Sequence, residues 1–108
     1  MRQGNLGTIA TQGDLGEPRP ALVIHSNLFG EHTSTTALPI TRTLVDAPLT
    51  RVTVQANAEN GLQKTSQVIA GKVGTVKRDK LGKATGQIDA DVRVEVDRCL
   101  AVLLWVAR

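Results

Sequence analysis

Short apolar runs and alternating segments dominate the first three-quarters of the chain, and they predict β-strands. Residues 6–11 divide between two sides of an extended chain and predict a short strand, and strict alternation of apolar and polar positions over residues 51–55 predicts a strand with Val52 and Val54 directed inward. The continuous apolar run at residues 21–24 is typical of a strand that is buried on both faces, at the centre of a sheet. Further strands are predicted over residues 35–41, 66–69 and 72–76.

Segments rich in Gly, Pro, Asn and Asp separate these strands and change the direction of the chain. Pro39 lies inside a predicted strand and, because proline has no amide hydrogen to donate, it indicates a sheet edge or a bulge. Residues 77–83 are highly charged and predict a surface linker. The segments expected to form turns or loops are residues 12–18, 25–32 and 46–48 and the Asn60-Gly61 pair.

Apolar residues recur at helical spacing near the C-terminus and predict one helix. We expect Asp89 to cap its start, because a carboxylate there can accept a hydrogen bond from a free amide of the first turn. A second apolar face, with Val94, Ala101 and Trp105, lies roughly opposite the first and predicts a homodimer or partner surface. The first stripe, expected to pack on the sheet, consists of Val92, Val96, Cys99, Leu100, Leu103 and Val106.

The chain has 108 residues, of which 41% are hydrophobic, and this is the size of one compact domain, expected to span residues 1–108. The elements predict a mainly β fold, an antiparallel barrel or sandwich of five to seven strands closed by a C-terminal helix. The single cysteine, Cys99, cannot form an intramolecular disulfide, and no Cys/His cluster has metal-ligand spacing. We therefore expect no metal, no cofactor and a reducing, cytoplasmic setting.

Charge and aromatic content narrow the class of ligand. The net charge of +3, from 13 Lys and Arg against 10 Asp and Glu, weakly favours a polyanionic partner. With no Tyr, one Phe and one Trp, the chain lacks the aromatic residues of a base-stacking surface, so a nucleic acid would be held mainly through its phosphates. The chain has no signal region and no run of about 20 apolar residues, so we expect no membrane span.

Residues that suggest catalysis are few. His25 and His32 match no metal-binding or acid–base motif and are expected to be solvated loop residues. Arg19 stands at the start of the buried strand, where its guanidinium can hold a phosphate through two hydrogen bonds or pair with an acidic residue of the preceding turn. Thr41, at the end of a predicted strand, is equally ambiguous when it is considered alone.

Several short motifs nevertheless occur in order along nearly the whole chain. They are Arg-Pro-Ala-Leu-Val-Ile at residues 19–24, Leu-Pro-Ile-Thr at 38–41, Asn-Gly-Leu at 60–62, Ser-Gln-Val at 66–68 and Thr-Val-Lys-Arg-Asp-Lys-Leu at 75–81. In this combination the chain resembles the MazF/PemK (Kid) toxins of bacterial type II toxin–antitoxin modules. The resemblance implies an SH3-like or CcdB-like β-barrel with a C-terminal helix, in agreement with the predicted elements.

The same resemblance implies a homodimeric, metal-independent endoribonuclease that cuts single-stranded RNA at short sequences. In such enzymes a 2′-hydroxyl attacks the adjacent phosphorus and leaves a 2′,3′-cyclic phosphate and a 5′-hydroxyl. The residues that match catalytic positions of the family are Arg19, which would clamp the phosphate, Thr41, which would donate its hydroxyl, and Asp14, as a base or orienting group. The residues expected to contact RNA are Ser26, Asn27, Arg42, Ser66, Lys72 and Lys77.

Family members are also neutralised by a cognate antitoxin, whose acidic, disordered tail would lie along the same basic groove at the dimer interface. Two alternatives stay open from the sequence. One is a CcdB-like gyrase poison, which would act through the end of the helix, residues 105–108, and cleave nothing. The other is an inactive module that binds RNA or antitoxin, favoured by Gly71 and Gly74 at positions where many relatives have Asp and Arg.

Overall fold

The computed structural model of the protein describes residues 4–10, 18–27, 34–77 and 80–106. These residues form a mainly β structure with a C-terminal helix, as predicted, and no helix among them is long and apolar enough to cross a membrane. A 3-10 helix spans Ala70–Lys72. The elements are β1 (Asn5–Ala10), β2 (Pro18–Asn27), β3 (Ser34–Thr41), β4 (Arg51–Val54), β5 (Ser66–Ile69), β6 (Gly74–Lys77), β7 (Leu81–Gln87) and α1 (Ala90–Val106).

The strands pair antiparallel in the order β4-β5-β3-β2-β1-β7, and β6 also pairs with β3. β2 therefore lies inside the sheet, as its apolar run predicts. Ala21, Leu22 and Val23 are all almost completely buried, which requires both faces of β2 to be covered. Val52 and Val54 point inward as predicted, with 8% and 3% of their surface exposed.

Pro39 does not lie on an edge strand, so this prediction is wrong. β3 pairs with β2 on one side and with two strands in succession on the other. The pairing with β6 ends at Ala37 and the pairing with β5 begins at Ile40, so Pro39 falls where β3 changes partner. A central strand accommodates the proline here because, among the described residues, Pro39 is paired with β2 alone and not with β5 or β6. The register shift of the β2–β3 ladder lies elsewhere, between Val23 and His25.

The turn after β4 is built around the buried side chain of Asn60, which is 2% exposed. Its Oδ1 accepts hydrogen bonds from the backbone amides of Asn57 at 3.0 Å and Leu62 at 2.9 Å. Its Nδ2 donates to the Gln55 carbonyl at 2.8 Å. The predicted Asn60-Gly61 turn is thus confirmed, and one amide side chain supplies the hydrogen bonds that this non-repetitive backbone needs.

This turn follows β4, the first strand in the order of the sheet, and packs on β7, the last one. It therefore joins the two ends of the sheet. The Gln87 amide donates to the Glu59 carbonyl at 2.9 Å. Gly61 has φ +71°, and a Cβ there would lie 2.4 Å from the Thr85 carbonyl oxygen, while a Cβ on Gly86 would lie 2.2 Å from the Asn60 carbonyl oxygen. Glycine is required at both places because the two backbones approach so closely. The contact gives the sheet its barrel-like closure.

The helix α1 begins one residue after Asp89, whose Oδ1 accepts a hydrogen bond from the Val92 amide at 2.8 Å, as predicted. Val96 and Cys99 are buried, and Val92, Leu100 and Leu103 pack against the core. Val106, predicted on the same stripe, is instead 74% exposed. Leu104 and Trp105, on other sides of the helix, are also about 70% exposed. The last turn of α1 therefore extends past the sheet.

Two polar segments predicted as linker and loop are strands. β7 begins inside the predicted linker at residues 77–83. Most of its residues are exposed, and they form a strand because β7 pairs with β1, from the Asn5–Gln87 pair to the Ile9–Leu81 pair. Residues 25–27, predicted as loop, extend β2 and pair with residues 34–36 of β3. The predicted strand over residues 72–76 begins only at Gly74, after the 3-10 helix.

Candidate active site

Arg19 and Thr41 lie at the same end of the β2–β3 ladder. This ladder pairs Ala21 with Pro39. Continuing the register through the remaining residues of both strands brings Arg19 opposite Thr41, and since side chains alternate along a strand, both lie on the face of Ala21 and Pro39. Arg19 is exposed and Thr41 is half-buried. The sheet therefore joins two residues that are 22 positions apart in the sequence.

The Thr41 hydroxyl has one defined partner. Its Oγ1 accepts a hydrogen bond from the Thr43 backbone amide at 3.1 Å. A hydroxyl has one hydrogen to donate and two lone pairs, so this contact occupies a lone pair and leaves the hydrogen available to another acceptor. The geometry suits donation to an anionic oxygen at this end of the sheet.

Thr41 belongs to a row of polar residues that crosses three strands. It pairs with Gln67 of β5, which pairs with Thr53 of β4, so their side chains share one face. Gln67 is only 7% exposed. Gln67 is not among the site residues predicted from the sequence. A glutamine inside a predicted apolar strand is nevertheless a signal, because a buried amide must find hydrogen-bond partners.

A cavity of about 520 Å³ opens beside this row, between residues 44–48, β4 and α1. Charged groups of both signs line the cavity. They include Arg51 and an ion pair in which Arg98 Nη2 lies 2.6 Å from Glu95 Oε2. The hydrogen bond and the charge of Glu95 raise the pKa of Arg98. Both side chains are about half exposed, so water screens the pair.

Three of the predicted RNA contacts lie on β5 or directly after β3 or β5 in the chain. Arg42 follows Thr41 and is exposed, and its Nη2 donates to the Gln63 Oε1 at 3.4 Å. Lys72 is exposed on the 3-10 helix. Ser66 is 2% exposed and its Oγ donates to the Lys64 carbonyl at 2.9 Å, so its hydroxyl is not on the surface of this chain.

The other three predicted contacts lie at the opposite end of the sheet. Asn27 of β2 pairs with Ser34 of β3, which in turn pairs with Lys77 of β6. Ser26 precedes Asn27, and the side chains of both lie outside the described residues. Asn27 is eight residues from Arg19 along β2, or about 26 Å at ~3.3 Å per residue. A small ligand cannot reach both ends, whereas a polymer can.

Asp14 also lies outside the described residues, so its position relative to Arg19 stays a prediction. Within the described ranges, no group of His, Cys, Asp and Glu side chains is arranged to hold a metal ion. The residues that the fold brings together at the candidate site are therefore Arg19, Thr41, Arg42 and Gln67.

Comparison with known proteins identifies the family of the chain. A family model described as PemK-like, MazF-like toxin of type II toxin-antitoxin systems matches residues 3–104. The chain belongs to this family. The probable endoribonuclease MazF of Mycolicibacterium smegmatis is 36% identical over 108 residues, which cover 99% of both chains. The resemblance inferred from the motifs is thus confirmed.

Solved structures show the same fold. A mycobacterial endoribonuclease in complex with its cognate antitoxin superposes with a TM-score of 0.77 at 23% identity, covering 97% of this chain and 95% of that one. MazF of Deinococcus radiodurans gives a TM-score of 0.73 at 23% identity, with 97% and 96% covered. The toxin MazF-mt6 of Mycobacterium tuberculosis gives 0.68 at 26% identity, with 91% and 94% covered.

Proposed function

We propose that this protein is the toxin of a type II toxin–antitoxin module and that it cleaves single-stranded RNA without a metal ion, inhibiting translation and growth. Membership of the family and the 36% identity to a probable endoribonuclease MazF support the proposal. The observation that carries it is the register of β2 and β3, in which Arg19 and Thr41 come to one end and one face of the sheet.

The chemistry requires two proton transfers and stabilisation of a pentavalent phosphorane. The 2′-hydroxyl loses its proton to a base, its oxygen bonds to phosphorus, the P–O5′ bond breaks, and O5′ takes up a proton. Arg19 holds two phosphoryl oxygens and stabilises their added negative charge. The Thr41 hydroxyl donates to the same oxygens, since the Thr43 amide already occupies one of its lone pairs. Asp14 is proposed as the base or as an orienting group.

The remaining charged and polar positions would hold RNA on either side of the cut. Arg42 and Lys72 are exposed and can contact phosphates near the scissile bond. Ser26 and Asn27, at the far end of β2 from Arg19, and Lys77 on β6 beside that end can contact nucleotides farther along the RNA strand. Ser66 is left out of these contacts because its hydroxyl is buried against the Lys64 carbonyl.

We further propose that the protein acts as a homodimer in the cytoplasm, as a single domain of residues 1–108, and that an antitoxin with an acidic segment neutralises it. The exposed apolar side chains of α1 support a partner surface, since Val94, Leu104 and Trp105 are 63%, 72% and 70% exposed. A solved structural neighbour is bound to its cognate antitoxin.

The test is incubation of the wild-type protein, Arg19→Ala and Thr41→Val with a long single-stranded RNA in EDTA. Product ends are mapped by primer extension and assayed for 2′,3′-cyclic phosphate. We expect discrete cuts by the wild type and loss of cleavage by at least about 100-fold in Arg19→Ala, the scale found when a group that stabilises transition-state charge is removed.

Arg93→Ala is the matched control, because it removes the same charge from a position on α1 that lies beside Gly4 and outside the cavity next to Gln67, and it should cut normally. A folded, antitoxin-free wild-type protein that produces no cuts would refute the proposal. The inactive module that binds RNA or antitoxin would then be the better explanation.

A further inference from the structure

Gln67 fastens the segment that follows Thr41 onto the sheet. Its Nε2 donates to the Val45 carbonyl and its Oε1 accepts from the Val45 amide, both at 3.0 Å. The amide group thus satisfies both backbone groups of Val45, as a neighbouring strand would. Oε1 also accepts from Arg51 Nη1 at 3.2 Å, and Nε2 donates to Thr53 Oγ1 at 3.2 Å.

Arg51 extends this contact toward the candidate catalytic hydroxyl. The same Nη1 that donates to Gln67 also donates to the Thr43 carbonyl at 3.1 Å. The Thr43 amide in turn donates to Thr41 Oγ1 at 3.1 Å. A continuous series of hydrogen bonds therefore runs from the buried Gln67 amide through Arg51 and residues 43–45 to the Thr41 hydroxyl.

Residues 42–47 form no helix or strand, so their backbone conformation depends on such side-chain contacts. The side chain of Gln67 can serve as an anchor because it is almost completely buried and all its polar atoms have partners. A shift of residues 43–45 would remove the Thr43 amide from Thr41 Oγ1 and free the hydroxyl to rotate.

We propose that Gln67, acting with Arg51, is a positioning residue for catalysis: it holds residues 43–45 so that the Thr43 amide orients the Thr41 hydroxyl toward the scissile phosphate. This rests on the proposed RNA-cleaving function. Gln67 itself lies against the backbone of Val45 and does not touch the RNA. Its removal should therefore affect the rate of the chemical step more than the binding of substrate.

The test uses Gln67→Glu and Gln67→Met in the full-length protein. Glutamate keeps an acceptor for the Val45 amide and Arg51 but cannot donate to the Val45 carbonyl, whereas methionine, of similar length, makes none of these bonds. Gln55→Glu is the matched control, because it makes the same charge change at an exposed residue near the end of β4. Steady-state cleavage kinetics and amide hydrogen exchange are measured on all four proteins, including the wild type.

We expect kcat to fall by about 10- to 100-fold in Gln67→Met, the scale of a misplaced catalytic group, with KM changed by less than about threefold. Gln67→Glu should lie between Gln67→Met and the wild type. The amides of Thr43 and Val45 should exchange faster in the same order, while the core strand β2 keeps its protection. Gln55→Glu should match the wild type in both measurements.

Folded Gln67 variants with the kcat of the wild type would overturn the proposal, as would a lowered kcat with unchanged exchange at residues 43–45. If Gln67→Met does not fold, the comparison of Gln67→Glu with Gln55→Glu decides in the same way. A wild-type protein that cuts no RNA is a different outcome: it overturns the proposed function itself, and the positioning role with it.

Discussion

The turn that closes the barrel should depend on the side chain of Asn60. Replacing Asn60 by alanine removes three hydrogen bonds, two accepted by Oδ1 and one donated by Nδ2. Each is worth about 1 kcal/mol net, and the side chain that makes them is only 2% exposed, so we expect a loss of about 3 kcal/mol in the free energy of unfolding. For a domain of this size that lowers Tm by about 15 °C.

The assay is thermal and urea unfolding followed by circular dichroism, with all variants at one protein concentration because a dimer's stability depends on it. Asn57→Ala is the matched control, since it removes the one hydrogen bond that its Oδ1 accepts from the Asn60 amide and should cost about 1 kcal/mol. Asn60→Asp keeps the acceptor, loses the bond to the Gln55 carbonyl and should fall between the two. If Asn60→Ala loses no more stability than Asn57→Ala, the reasoning is refuted.

Three further substitutions test the fold, and one measurement of RNA affinity tests the proposed ligand. Asp89→Ala removes the cap bond to the Val92 amide and should lower the free energy of unfolding by about 1 kcal/mol in urea titration. Leu38→Ala, at a fully buried position, should cost about 3 kcal/mol or more by the same method. Gly86→Ala places a Cβ against the Asn60 carbonyl, so its cost and that of Asn60→Ala should not add in the double variant. RNA affinity, measured by fluorescence anisotropy, should fall linearly in log–log plots against salt, and a salt-independent affinity would contradict binding through phosphates.

Where burial follows local periodicity, the sequence predicted the structure well. The apolar run at residues 21–24 marks the buried centre of the sheet, and the alternation at residues 51–55 directs Val52 and Val54 inward. The start of α1 after Asp89 follows from capping chemistry. These features depend on residues adjacent in the chain, so a pattern along the sequence contains them.

The candidate site was predicted in part. The motifs singled out Arg19 and Thr41, but nothing in their spacing shows that β2 and β3 bring them to one end of the sheet. Gln67 escaped notice as a site residue because its role depends on Val45 and Arg51, which lie 22 and 16 positions earlier. Hydrogen bonds of this kind have no period in the sequence.

By itself, the sequence determined the family, the mainly β class, the central strand and the helix. Only the tertiary structure decided that β7 is a strand, that Pro39 sits inside the sheet at a change of partner, and that the turn at Asn60 closes the barrel. Periodicity and capping are local properties, which the order of residues contains directly. Strand pairing, closure and the orientation of a hydroxyl depend on groups that are distant in the chain and meet only when it folds.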